Sequence, residues 1–86
     1  MPEDLKPARN IDAEHIRMAR AGLQLSIREL AVICNINKAT IVRLESGQNV
    51  RASSINSIRK ALEDRGAEFW EVREPQKILI SIRGEF

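Results

Sequence analysis

Apolar residues recur at three- and four-residue spacing in four successive stretches of the chain and then alternate in two more, a pattern that predicts four helices followed by a pair of strands. The first helix is expected over residues 12–23, with Asp12 as N-cap, Glu14 in its first turn, and Ile16, Ala19 and Leu23 inward. Ser26 and Glu29 form an S-x-x-E capping box: the serine oxygen accepts the Glu29 N–H while the Glu29 carboxylate accepts the serine N–H. A second helix therefore starts at Ile27, with an apolar face of Ile27, Leu30, Ala31 and Cys34. Asn35 stands where a left-handed residue is needed, a conformation asparagine tolerates better than most. Asn37 can cap a third helix over 38–46, which buries Ile41 and Leu44, leaves Lys38, Ala39, Val42 and Arg43 on its other faces, and stops at Gly47. After a loop over 48–52, Ser53 or Ser54 serves as cap for a fourth helix reaching about Arg65, with Ile55, Ile58, Ala61 and Leu62 inward and Gly66 as its stop.

The two ends of the chain read differently. Residues 1–10 hold two prolines and mixed charge and are expected to be a flexible arm. Residues 67–73 and 77–83 are rich in β-branched and aromatic side chains, with Glu74, Pro75 and Gln76 between them as a turn, so a β-hairpin is predicted. Ile78, Ile80 and Ile82 alternate onto one face of it. A two-stranded ribbon is marginal alone in water and exposes edges. One face is therefore expected to cover the fourth or first helix while an edge strand meets a second copy, with Phe69, Trp70, Val72, Ile78, Ile80 and Ile82 as the dimer surface; the other reading is a hairpin that only completes the monomer core. The chain divides into an arm (1–10), a helical domain (11–66) and a hairpin (67–86).

The pattern L-A-x-x-x-x-I-N-x-x-T-I-x-x-L-E-x-G, carried by Leu30, Ala31, Ile36, Asn37, Thr40, Ile41, Leu44, Glu45 and Gly47 with Arg20 on the preceding helix, resembles the Cro and phage-repressor helix-turn-helix proteins of the xenobiotic-response-element type. The resemblance spans residues 16–62. It implies a mostly α, four- to five-helix repressor-like domain, with a fifth short turn near Ser53, and a DNA-binding role. In proteins of this kind the start of the third helix reaches base edges, here Asn37, Lys38, Ala39 and Arg43, with Thr40 near a phosphate. Lys38 or Arg43 can place two donors on guanine, Asn37 can read adenine, and the Ala39 methyl suits a thymine methyl. Ser26, Arg28, Ser46, Gln48, Asn49, Arg51, Ser53 and Ser54 would touch the phosphate backbone. Arg20 and Glu45 fall where the family has a partly buried ion pair that orients the reading helix.

Composition narrows the alternatives. Eighty-six residues make one domain with room for a small core but not for a roomy enzyme cleft, and no nucleophile and base stand at catalytic spacing. No apolar run approaches ~18 residues, and the acids near the start do not suit a signal peptide, so a cytoplasmic protein away from membranes is expected. The single Cys34 reads as a small core residue and the single His15 as a surface residue; neither has ligand partners, so no metal or cofactor is expected. The formal charge is only +2, but its distribution is uneven: residues 1–25 are neutral, 26–51 carry +2, 52–66 carry +1 and 67–86 carry −1. The positive excess lies on the reading unit.

Ile27, Val32, Ile33 and Val42 are apolar where the family is usually polar. Val42 can touch a thymine methyl, and Val32 and Ile33 can lie under the hairpin, but such a patch also suits a protein-binding surface. The expectation is a homodimeric, sequence-specific transcriptional regulator, a repressor of phage or mobile-element type on an inverted repeat of double-stranded DNA. The alternative is an antiactivator, adaptor or antitoxin that uses the same fold to bind a protein partner.

Overall fold

Four helices and three strands follow one another as β1 (Lys6–Pro7), α1 (Ala13–Gly22), α2 (Ile27–Cys34), α3 (Lys38–Glu45), α4 (Ala52–Asp64), β2 (Ala67–Val72) and β3 (Lys77–Ile82), in a computed structural model that describes residues 5–72 and 77–83. About half of the chain is helical. The capping box at Ser26 forms in both directions: the Glu29 N–H donates to Ser26 Oγ at 3.0 Å and the Ser26 N–H donates to Glu29 Oε1 at 2.9 Å. These bonds, the backbone one first, hold the Glu29 carboxyl below the usual carboxylate range.

One device ends three of the helices. The residue at the C-cap of α2, and the one just beyond it in α1 and α3, turns left-handed, and the following N–H returns to a carbonyl five residues back, which satisfies a terminal acceptor that would otherwise be orphaned. Leu25 donates to Arg20, Ile36 to Ala31 and Gln48 to Arg43, each at 3.0 Å, around Gln24 (φ 60°), Asn35 (φ 55°) and Gly47 (φ 85°). The last two stops are the ones expected. Gln24 has neither the freedom of glycine nor the local hydrogen bonding that lets asparagine adopt this region.

At α4 neither Ser53 nor Ser54 is the cap. The helix begins at Ala52, and its N-cap is Arg51, without a side-chain cap bond. The Arg51 carbonyl already accepts the N–H groups of Ser54 and Ile55 at 3.0 and 3.2 Å, so the first turn closes before either serine is reached. No separate short helix precedes α4 among the described residues.

The N-terminal segment is also not a free arm. Lys6–Pro7 pairs antiparallel with β2, opposite Glu71 and Trp70, so the sheet has three strands in the order β1-β2-β3 with β2 in the middle. Ala8 donates its N–H to the Phe69 carbonyl at 2.9 Å and is buried, as is Ile11. Proline is tolerated there because it sits on an edge strand, where a missing N–H costs no ladder bond. The first four residues of the expected arm (1–10) and the expected turn at Glu74, Pro75 and Gln76 lie outside the described residues.

β2 and β3 pair antiparallel from Ala67↔Ile82 to Val72↔Lys77. Ala67, Phe69, Ile78, Ile80 and Ile82 share the face that packs on the helices, α1 against β3 and α4 against β2. Ile16, Leu30, Ile41, Ile58 and Leu62, one or two from each helix, are the large side chains fully removed from water at the centre. Arg59 ties α4 to the sheet: its guanidinium lies 5.4 Å from the centre of the Phe69 ring, and Nε donates to Glu63 Oε2 at 3.2 Å. Val32 does not lie under the sheet. It is 76% exposed on α2, which packs against α3 and α4 instead.

Gly66, between α4 and β2, has φ 109°, and a Cβ added there would meet the Arg83 carbonyl oxygen at 2.5 Å; at Gly47 nothing lies within 4 Å. Gly47→Ala should therefore lose only the left-handed backbone term, about 1–2 kcal/mol. Gly66→Ala should lose clearly more, because backbone must also move. Gln24→Gly should leave stability unchanged or raise it by up to ~1 kcal/mol. Urea unfolding of the three variants reads this order, and a Gly66→Ala loss no larger than that of Gly47→Ala would contradict it.

Candidate nucleic-acid interface

α2 and α3 are joined by the three residues Asn35, Ile36 and Asn37. Ile36 is drawn toward the core while the two asparagines stay exposed, Asn35 turning the chain and Asn37 capping α3. The Asn37 Oδ1 accepts the Ala39 N–H at 2.7 Å. That oxygen is thus committed, and only the Asn37 amide donors remain for a ligand, so the paired donor and acceptor needed to read adenine is not available in this geometry. Lys38, Ala39, Val42 and Arg43 are exposed along the outer face of α3, and Thr40 is half-buried beside them.

A groove of about 610 Å³ opens between the end of α3, the following loop and the head of α4, lined by Thr40, Arg43, Asn49, Val50, Arg51 and Ser54. Five of these are residues singled out in the sequence, and the fold brings them together from three elements. Arg43 Nη2 lies 3.4 Å from Thr40 Oγ1, which lays the guanidinium along the groove wall. Two cations, three neutral polar groups and one apolar side chain line it, with no carboxylate. The N–H groups in the first turn of α4 have no side-chain cap and open at the same end, adding a partial positive charge. The arrangement suits a polyanion.

Other expected contacts stand apart or are occupied. Ser26 and Arg28 are exposed at the head of α2, where the Ser26 oxygen already accepts from Glu29 and the Glu29 carboxylate brings negative charge. Ser46 donates its hydroxyl to the Val42 carbonyl, so its proton is not free for a phosphate. Gln48 and Ser53 are exposed near the groove without lining it.

The orientation of α3 is held from behind. Arg20 on α1 grips the Glu45 carboxylate with two parallel bonds, Nε to Oε2 at 2.7 Å and Nη2 to Oε1 at 3.0 Å, and its third nitrogen donates to the Leu25 carbonyl at 2.8 Å. Side-chain exposure is 18% for Arg20 and 7% for Glu45, and the hydrogen bond to Glu45 moves the guanidinium pKa up despite burial. Arg17, one turn earlier on the same face of α1, donates to the Glu45 carbonyl at 3.1 Å and completes the end of α3. This residue escaped the sequence reading, although its i, i+3 spacing from Arg20 is the available signal.

His15 is half-buried rather than a free surface residue. Its Nδ1 accepts the Asp12 N–H at 2.8 Å and so closes the first turn of α1, which places the imidazole proton on Nε2. Cys34 is half-buried, and burial pushes its thiol pKa up, away from nucleophilic chemistry at neutral pH. Among the described residues no three metal-ligating side chains stand together. No helix among them is long and apolar enough to cross a membrane.

The expected dimer residues fall into two groups. Phe69 is buried against the helices, which Ile78, Ile80 and Ile82 also face, whereas Trp70, half-buried, and Val72, buried, alternate onto the opposite face of the sheet. Neither the protein-family models nor the curated proteins give a match to this chain.

Because Arg20 and Glu45 are mutually desolvated, Arg20→Ala or Glu45→Ala should each destabilise by ~3 kcal/mol or more, by stranding the other charge. Arg20→Met with Glu45→Leu should recover much of that loss. Denaturant melts of the three variants decide it, and a double variant showing the summed losses would mean that the pair is not coupled.

Proposed function

We propose that this chain is a sequence-specific DNA-binding transcriptional regulator that lays the exposed face of α3 in a major groove and works as a homodimer on an inverted repeat. The observation that carries this reading is the carboxylate-free groove in which Arg43, Arg51, Thr40, Asn49 and Ser54 converge beside that face. Arg43 is the base reader, able to place two donors on guanine, and Lys38 and the Ala39 methyl flank it. Arg51, Asn49, Ser54 and the head of α4 take the phosphate backbone, with Arg28 and Ser26 on the far side. Arg20, Glu45 and Arg17 touch no nucleotide in this scheme; they set the angle at which α3 leaves the body. Repression by occlusion of a promoter, in the manner of phage and mobile-element repressors, follows from the resemblance described above.

A second reading is favoured by one observation. Val32, 76% exposed, and Val42, 43% exposed, are apolar on the outer sides of α2 and α3. An adaptor, antiactivator or antitoxin would use them against a protein partner instead of DNA.

Duplex binding should fall on the order of a thousandfold between about 50 and 200 mM salt if ~6 phosphates are engaged per dimer. A fluorescence-anisotropy titration against random duplex measures it, and no duplex binding at low salt would favour the protein-partner reading. Within the DNA reading, Arg43→Ala should cost roughly 1–3 kcal/mol and relax preference at one base pair, whereas Arg51→Ala should weaken all sequences about equally. Site selection from a random library with each variant separates the two roles; unchanged base preference after Arg43→Ala would remove that residue from readout.

A further inference from the structure

We infer that α3 specifies its half-site through base acceptors and methyl groups alone, and that the amino groups of adenine and cytosine are excluded from the groove edge it faces. The inference rests on the DNA-binding function proposed above. It comes from what the exposed face of the helix can and cannot offer a base. In the major groove guanine presents two acceptors, N7 and O6, and thymine an O4 acceptor beside its methyl, whereas adenine N6 and cytosine N4 present donors. Reading an amino group therefore takes a free acceptor on the protein.

Among the described residues the outward face of α3 carries none. Lys38 and Arg43 are exposed and have donors only. Ala39 and Val42, the latter 43% exposed, present methyl groups. Each oxygen nearby is turned to another partner. Asn37 Oδ1 accepts the Ala39 N–H at 2.7 Å, half-buried Thr40 receives Arg43 Nη2 at 3.4 Å, and the Ser46 hydroxyl is bonded to the Val42 carbonyl. The sole acid of α3, Glu45, is buried behind the helix in its two bonds from Arg20. The clamp thus does more than fix an angle: it withdraws the one carboxylate that could have accepted from cytosine N4.

Helical spacing orders what remains. Ala39 and Val42 stand at i, i+3; Lys38 lies one turn before Val42 and Arg43 one turn after Ala39. A methyl-bearing strip therefore runs between two cations that are about 7.5 Å apart along the helix axis, roughly two base-pair steps. Thymine methyls fit the strip, and guanine edges meet the cations at its ends. Adenine or cytosine in those places would set an amino group against an ammonium, a guanidinium or a methyl. A desolvated donor would then go unpaired, so the wrong base is opposed as well as unrewarded. Exposed Val42 acquires an occupant on the DNA itself.

The test takes the full chain and a duplex selected from a random library, and replaces its bases one at a time by analogues altered at the groove edge. 7-Deazaguanine, which lacks the N7 acceptor, should weaken binding about tenfold at a guanine facing Lys38 or Arg43. Deoxyuridine, which lacks only the methyl, should weaken it about fourfold at a thymine facing the strip. 2-Aminopurine for adenine moves the amino group to the minor groove and keeps pairing with thymine; it should leave binding unchanged throughout the half-site. Val42→Ser should diminish the deoxyuridine effect and keep the 7-deazaguanine effect, with the circular dichroism unchanged. A 2-aminopurine loss as large as that from 7-deazaguanine, deoxyuridine neutral at every thymine, or a deoxyuridine loss undiminished in Val42→Ser would overturn the inference and leave the DNA-binding reading standing. No duplex binding at low salt would overturn that reading, and this inference with it.

Discussion

The structure depends on one buried charge pair. Glu45 closes the last turn of α3 with its carboxylate turned inward, where an unpaired carboxylate would cost several kcal/mol. Arg20 removes that cost only while α1 and α3 keep the relative angle at which two parallel N–H to O bonds can form. The third guanidinium nitrogen is spent on the Leu25 carbonyl, in the link that leads to α2. One side chain thus binds the end of α3, the exit of α1 and the approach to α2. A hydrophobic contact would tolerate sliding by an ångström; a bidentate ion pair does not, because each displaced bond leaves a desolvated charge. For a helix proposed to read base edges, that intolerance is what the charges supply and an apolar pair would not.

The same logic separates what holds α3 from what α3 presents. Its inward positions Ile41, Leu44 and Glu45 are consumed by the core and the clamp, and its cap Asn37 has given its oxygen to the backbone. The residues left over are Lys38, Ala39, Val42 and Arg43, with Thr40 at their margin. Two of those are cations and two are apolar, a mixture that makes a sticky face in isolation. Placed beside the Arg51 loop and the uncapped head of α4, the face becomes one wall of a positive groove.

What could be read in the chain was local. The Ser26 and Glu29 box, the Asn35 turn, the Asn37 cap and the Gly47 stop each depend on residues within a few positions of one another, so their chemistry is visible in sequence. The pair Arg20 and Glu45 was legible only through the resemblance, since nothing in a spacing of 25 residues specifies contact. β1 was not legible at all: two residues, one of them proline, carry no strand signal, and their pairing is decided by the open edge of β2 some sixty positions away. Gly66 read as a helix stop, yet its tighter constraint is the Arg83 carbonyl across the sheet. The individual residues of the groove were legible, but not that five of them face one space while Ser46 turns its proton inward.

The third strand changes the argument about assembly. A hairpin of two strands has two open edges, and nothing in it says which one a partner would take. Once Lys6–Pro7 lies along β2 and Ala8 and Ile11 anchor it in the core, the choice is gone: pairing on that side would require displacing buried residues. The apolar side chains on the inner face of β2 and β3 are likewise committed to the protomer, Phe69 beneath the Arg59 guanidinium and the three isoleucines against the helices, while Trp70 and Leu79 lie on the other face. What remains open along the edge of β3 is the backbone of Ile78, Ile80 and Ile82, whose hydrogen-bonding groups are directional. Backbone pairing specifies register far more sharply than an apolar patch would, because a slip of one residue turns every isoleucine to water. The N-terminal strand, by closing one edge of the sheet, leaves the other as the place where a second chain can add to it.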